Sequence, residues 1–238
     1  MTSKRDWPVV PDAAGTEERL FFDAAEWELL DAVTARIIPT DADPGAREAR
    51  VVRFIDRYLS GTGYIYAAAD GSGFLRLGGR EADAWQQRIQ ASQSRYREGL
   101  RQVESISRDA YGRGFLELAP EEQDQVLVTL SGWPKPAAGD IRPMVLGRAE
   151  VPGAGGAPPS NQPIPDDQLD FFPMLVLHTR QGFYSDPVYG GNAEHLGWQV
   201  IGFPGPESLA LTQTGRYTTV DYMLPDAEWP YSTGSGAS

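Results

Sequence analysis

Cysteine is absent from the chain. Its absence removes disulfides, thiolate metal sites, iron–sulfur ligation, c-type haem attachment and a cysteine nucleophile, while leaving the compartment open. Histidine is nearly as scarce, with two residues that both fall between His178 and His195. No uninterrupted apolar run approaches membrane-spanning length, so no direct membrane insertion is expected. A Gly-x-Gly-x-x-Gly fingerprint for a dinucleotide is missing, and no serine sits in a nucleophile-elbow context. Positive charge is in deficit: 21 Lys and Arg against 33 Asp and Glu give a net charge of -12. Over residues 161–238 nine acids face only Arg180 and Arg216, a net of −7. Such a surface repels phosphate backbones and anionic headgroups, which argues against nucleic-acid partners. Met1 to Pro11 carries Lys4 and Arg5 with no apolar stretch behind them and no twin-arginine pair. As written, the sequence predicts a cytoplasmic chain, and a periplasmic one if a twin-arginine signal was removed before this numbering begins.

What is present is 41% hydrophobic and 23% charged sequence, globular in composition and long enough for a single domain over 1–238. Helical signals dominate. Asp23 and Glu26 make a capping box, with Phe22 and Trp27 at staple positions, and Trp27, Leu30, Val33 and Ile37 recur on one face until Pro39. Asp43-Pro44 predicts the start of a second helix carrying Val51, Val52, Ile55, Tyr58 and Leu59 inward and ending at Gly61. Residues 61–79 are glycine-rich and read as a loop. Its Gly71-Ser72-Gly73 lacks the preceding strand and helix-opening lysine of a phosphate cradle. A long amphipathic helix follows from Glu81 to Tyr111, with Trp85, Ile89, Tyr96, Leu100, Val103 and Ala110 as its stripe. Ser92 and Gly99 interrupt that stripe, which favours core packing over a coiled-coil seam. Pro120-Glu121-Glu122 opens a fourth helix.

The fold class expected is therefore mainly α: a core of about five helices, mostly over 20–131, then a Pro/Gly-rich connector over 132–165. Residues 166–206 predict a fifth helix from Asp166 to Arg180, kinked or started late by Pro173 and capped by Gly182, and then a turn motif. Residues 207–238 read as an extended tail that packs on a partner, with one brief strand-like alternation at Tyr217–Met223.

The stretch that could carry chemistry lies between His178 and Gly205. His178 or His195 with Asp186 and Glu194 would offer acid/base groups or a metal site, but no spacing matches a zinc arrangement, and adjacent Glu194 and His195 diverge on a regular helix. Trp198, Tyr184 and Tyr189 could instead stack on a sugar. The structural alternative is a run of tight turns. In it Asp186 bonds backbone amides, Gly190 and Gly191 supply positive φ, and Asn192 caps a short helix from Ala193. The turn reading leaves this chain with no catalytic, cofactor-binding or metal residue. Its aromatic and polar side chains Phe183, Tyr184, Asp186, Tyr189, Asn192, His195, Trp198, Phe203, Tyr217, Tyr222 and Trp229 then form the candidate partner interface, with Trp198 as main anchor.

Two blocks also carry a family resemblance. Arg36-Ile37-Ile38-Pro39-Thr40-Asp41, Pro44-Gly45-Ala46 and Phe54-Ile55-Asp56 form the first. His178-Thr179, Gly182-Phe183-Tyr184-Ser185-Asp186-Pro187, Tyr189-Gly190-Gly191-Asn192, Gly197-Trp198 and Ile201-Gly202-Phe203-Pro204-Gly205 form the second. Together they resemble the gluconate 2-dehydrogenase subunit 3 family. The resemblance implies a small, or gamma, subunit that assists maturation of a large FAD-dependent glucose–methanol–choline type dehydrogenase. That large subunit holds FAD and the catalytic histidine, and often hands electrons to a cytochrome c subunit. The family commonly carries a twin-arginine signal, and this sequence departs from it there.

Overall fold

A computed structural model describes residues 9–10, 19–68, 73–132 and 169–203. The expected connector beyond Gly132 and all of the tail beyond Phe203, with Tyr217, Tyr222 and Trp229, lie outside the described residues. What is described is mainly helical, as the periodicities predict. Six α-helices appear: α1 Ala24–Ile37, α2 Val51–Ser60, α3 Gly79–Tyr111, α4 Pro120–Ser131, α5 Phe171–Tyr184 and α6 Leu196–Val200. Two short strands, β1 Val9–Val10 and β2 Phe74–Leu75, pair antiparallel with Val10 opposite Phe74.

α1 begins where its capping box predicts. The Glu26 N–H donates to Asp23 Oδ1 (2.8 Å), and the Asp23 N–H donates to Glu26 Oε2 (3.1 Å). The chain entering α1 is pinned by one carboxylate. Asp56, 1% exposed, accepts the amides of Leu20 (2.7 Å), Phe21 (3.0 Å) and Phe22 (2.9 Å), so α2 holds the start of α1. Arg36 on α1 meets Asp124 on α4 at 2.8 Å.

The second helix starts later than Asp43-Pro44 predicts. Residues 46–50 form turns, Arg50 is left-handed (φ 54), and α2 opens at Val51. The reason is tertiary. The Ala46 N–H donates to the Ile38 carbonyl (2.8 Å), closing residues 38–46 into a loop, and a Cβ at Gly45 would stand 2.6 Å from that same carbonyl oxygen. Within the loop Glu48 Oε2 accepts from the Thr40 hydroxyl (2.7 Å) and the Gly45 amide (2.9 Å). The Thr40 bond in particular holds the Glu48 carboxyl below the usual carboxylate value.

α3, the longest helix among the described residues, buries Ile89, Ser92, Tyr96, Gly99, Leu100, Val103 and Ser107. Its stripe matches expectation save at its C-terminal end, where Ala110 is exposed and Ser107 takes the inward position, its hydroxyl donating to the Val103 carbonyl (2.8 Å). α3 can lie close to α5 because Gly99 has no side chain: a Cβ there would overlap the Phe171 ring. The core is one cluster, with Leu30, Val33, Ile55, Leu59, Tyr96, Val103, Phe115, Met174 and Leu175 at its centre.

α5 also starts late, at Phe171, which puts Pro173 in its first turn, where the missing N–H costs no helical hydrogen bond. It runs past Arg180 to Tyr184, so Gly182 is not the expected C-cap. Gly182 is buried inside the helix, where a Cβ would press on Phe54 at 3.0 Å, and its role is to let α5 approach α2.

Candidate functional site

The segment from Ser185 to Phe203 folds back on the end of α5 and is held by backbone-directed hydrogen bonds. Asp186 begins it as expected: its Oδ1 accepts from the Val188 N–H (3.0 Å), and Pro187–Tyr189 forms a single 3-10 turn closed by left-handed Gly190 (φ 101). Asn192, fully buried, does not cap a helix at Ala193. Its Nδ2 donates to the Ser185 carbonyl (2.8 Å) and its Oδ1 accepts from the Gly197 N–H (2.8 Å), so one side-chain amide ties the start of the turn to α6. The Trp198 Nε1–H donates to the Tyr184 carbonyl (2.7 Å), closing α6 onto the C-terminus of α5.

Gly191 and Gly197 are required for a reason other than φ. Gly191 is not in the left-handed region, contrary to expectation; a Cβ there would overlap the Gly182 carbonyl, and one at Gly197 would overlap the Phe183 carbonyl. Backbone packs on backbone at both places, and no side chain fits between. Three non-glycine residues nearby do take the left-handed conformation: Asn192 (φ 47), Glu194 (φ 54) and His195 (φ 60). Each such residue costs on the order of 1 kcal/mol or more, which the surrounding bonds must hold in place. Left-handed backbone also explains how Glu194 and His195 both reach the surface.

The turn is anchored to the helical core from below. The Ala193 N–H donates to the Ala49 carbonyl (3.1 Å), Arg57 Nη1 donates to the Val188 carbonyl (3.1 Å), and the Ala67 N–H donates to the Tyr189 hydroxyl (3.2 Å). Partial burial, foremost, raises the Tyr189 pKa above its usual 10.0; the Ala67 amide opposes the rise and the negative charge of Asp186 adds to it.

The two histidines do not share a site. His178 is 1% exposed inside the core, where its ring stacks on Tyr96 (centroids 5.7 Å, interplanar angle 3°) and meets Tyr58 edge-on. Its Nδ1 lies 2.9 Å from the Tyr96 hydroxyl. His195 is exposed, tilted against the Trp198 ring at 5.0 Å. Among the described residues no three His, Asp or Glu side chains gather as metal ligands would.

The expected interface side chains therefore divide. Phe183 (1% exposed), Asn192 and Trp198 (6%) are spent on the fold, and Asp186 and Tyr189 are half-buried in it. Tyr184, His195 and the rim of Phe203 face outward, joined by Val200 and Ile201, which sequence reasoning passed over. Ile201, 57% exposed, is the most exposed large hydrophobic among the described residues; the signal that could have found it is its place in an apolar Trp198–Phe203 run just after a five-residue helix.

A family model described as gluconate 2-dehydrogenase subunit 3 matches residues 24–205. The chain belongs to this family. Comparison with curated proteins and with solved structures gave no match. The matched span opens at the first residue of α1 and ends just beyond the turn motif, so it takes in all six helices. As its description says, subunit 3 is one subunit of a gluconate 2-dehydrogenase, which implies partner subunits. Both blocks that carry the resemblance to the gluconate 2-dehydrogenase subunit 3 family have structural duties here. The first supplies Arg36 for Asp124, the Ile38–Ala46 loop closure and the Asp56 clamp; the second supplies His178 for Tyr96 and the Asn192 bridge.

Proposed function

We propose that this chain is the non-catalytic small subunit of an FAD-dependent sugar or polyol dehydrogenase, holding and stabilising a large flavin-containing subunit of the glucose–methanol–choline type. The family match over residues 24–205 carries the proposal. The geometry supports it because the turn motif spends its polar side chains on its own backbone and offers the outside an apolar rim of Tyr184, Val200 and Ile201. A stiff, pre-formed surface loses little entropy on association, which suits a permanent contact. The flavin is assigned to the partner. A dinucleotide needs a strand leading through a glycine-rich turn into a helix, and here β2 passes into α3 across Arg76, Leu77 and Gly78 with no such fingerprint.

The test is co-expression with a large FAD-dependent subunit of the glucose–methanol–choline type from the same source. The expected outcome is a stoichiometric complex in which the flavin and all turnover reside with the large subunit, and a large subunit that is insoluble or flavin-poor when expressed without this chain. A yellow isolated chain, or a large subunit equally soluble and active alone, overturns the proposal.

A further inference from the structure

Two polar side chains of the turn motif have no duty in the fold. Asp186, Tyr189, Asn192, Trp198 and Gln199 each bond a backbone group of this chain. Glu194 and His195 are exposed and do not. The Glu194 carbonyl accepts from Gln199 Nε2 (2.8 Å), but among the described residues its carboxylate meets neither a donor nor a cation. The His195 N–H donates to the Asn192 carbonyl (2.9 Å), and its ring lies against the Trp198 indole. Both residues sit in left-handed backbone (φ 54 and φ 60), where glycine would keep the same backbone bonds at lower conformational cost. The strain is greater at Glu194, because histidine enters this region more readily than glutamate. A strained, exposed residue whose side chain does nothing for the fold points to a role outside it. Its surroundings indicate which role. The His195, Trp198 and Phe203 rings form one aromatic strip, with successive centroids 5.0 Å and 5.3 Å apart, and Trp198 is tied to Tyr184 of the apolar rim. Between Gly182 and Phe203 the chain carries Asp186 and Glu194 and neither Lys nor Arg. The Val188 amide engages Asp186, so Glu194 is the anion that faces out beside an apolar and aromatic surface.

We propose that Glu194 and His195 form the charged edge of the docking surface, where the Glu194 carboxylate pairs with an arginine or lysine of the large subunit and the His195 ring lies beneath that side chain. The inference rests on the subunit assignment and adds the chemistry of the contact: a basic group at the margin of an apolar patch that receives the rim. An anion covered by a partner without a cation would be costly, so the two features belong together. A guanidinium suits the place best, forked on the carboxylate and face-on to the imidazole.

The large subunit is co-expressed with the full chain carrying each variant, and dissociation of the purified complex on dilution is followed by mass photometry at low and at high salt. Glu194→Gln should weaken the complex about tenfold and reduce its salt dependence, and Glu194→Lys should weaken it further. His195→Asn keeps a residue suited to left-handed backbone but removes the flat ring, and should weaken the complex several-fold. Asp109→Lys, exposed near the C-terminal end of α3, should leave it unchanged. In the full chain alone, Glu194→Gly relieves the backbone and should hold or raise the melting temperature, while weakening the complex as Glu194→Gln does. Those opposite signs are not expected of a residue that serves the fold. A complex indifferent to Glu194→Gln and His195→Asn at both salts overturns the proposal and leaves the subunit assignment standing, as does a Glu194→Gly chain that melts well below the natural one. Absence of any complex with the unaltered chain overturns the subunit assignment, and the proposal with it.

Discussion

Asn192 shows how much of the turn motif hangs on single side chains. Its amide satisfies one carbonyl and one N–H that are otherwise buried, so Asn192→Ala should cost about 2–4 kcal/mol, read as a lower urea midpoint. Trp198→Ala removes a buried indole and its bond to Tyr184. About 3–5 kcal/mol should be lost from the fold itself, so any weaker assembly in that variant is indirect. The opposite sign is expected at Ser92, whose hydroxyl is fully buried with no hydrogen-bond partner among the described residues. Ser92→Ala on a helix should stabilise by up to about 1 kcal/mol. Tyr189 gives a pH signature. Its folded pKa is raised, so its contribution is fully present below about pH 10 and is lost as pH rises through the folded value. Tyr189→Phe should flatten the fall in urea midpoint between about pH 8 and about pH 11, at the expense of the Ala67 bond.

Between elements, the close approaches are set by glycines that sequence periodicity cannot distinguish. α3 meets α5 at Gly99 against Phe171, and α2 meets α5 at Gly182 against Phe54. Gly99→Ala would force the Phe171 ring aside and should cost about 1–3 kcal/mol, with thermal unfolding remaining cooperative. Gly191→Val acts on rigid backbone instead of a movable ring, so it should cost more and detach the turn, detectable as new proteolysis between α5 and α6. The helices themselves were legible because capping and period are local: Asp23 with Glu26, Pro120 at a first turn, and the α3 stripe all act within a few residues. The start of α2 and the end of α5 were misread because the Ala46–Ile38 bond and the Phe54–Gly182 contact join residues that the sequence reading had placed on different elements.

For the whole molecule, association should be read out separately from stability. Ile201→Asp alters an exposed side chain beyond the last turn of α6, so the melting temperature should shift by no more than about 2 °C. If the apolar rim faces the large subunit, the same change should weaken co-purification about tenfold or more, whereas Leu116→Asp, also exposed but on the α3–α4 connection, should not.

The helical class, the capping box at Asp23, the extent of α3 and the aromatic turn motif were determined by the sequence alone, since each depends on interactions between near neighbours. Only the tertiary structure decided which motif residues are buried. Asn192 and Trp198 look like surface recognition residues by type, yet carbonyls of Ser185 and Tyr184 claim their donors, while Ile201 looks like core and faces out.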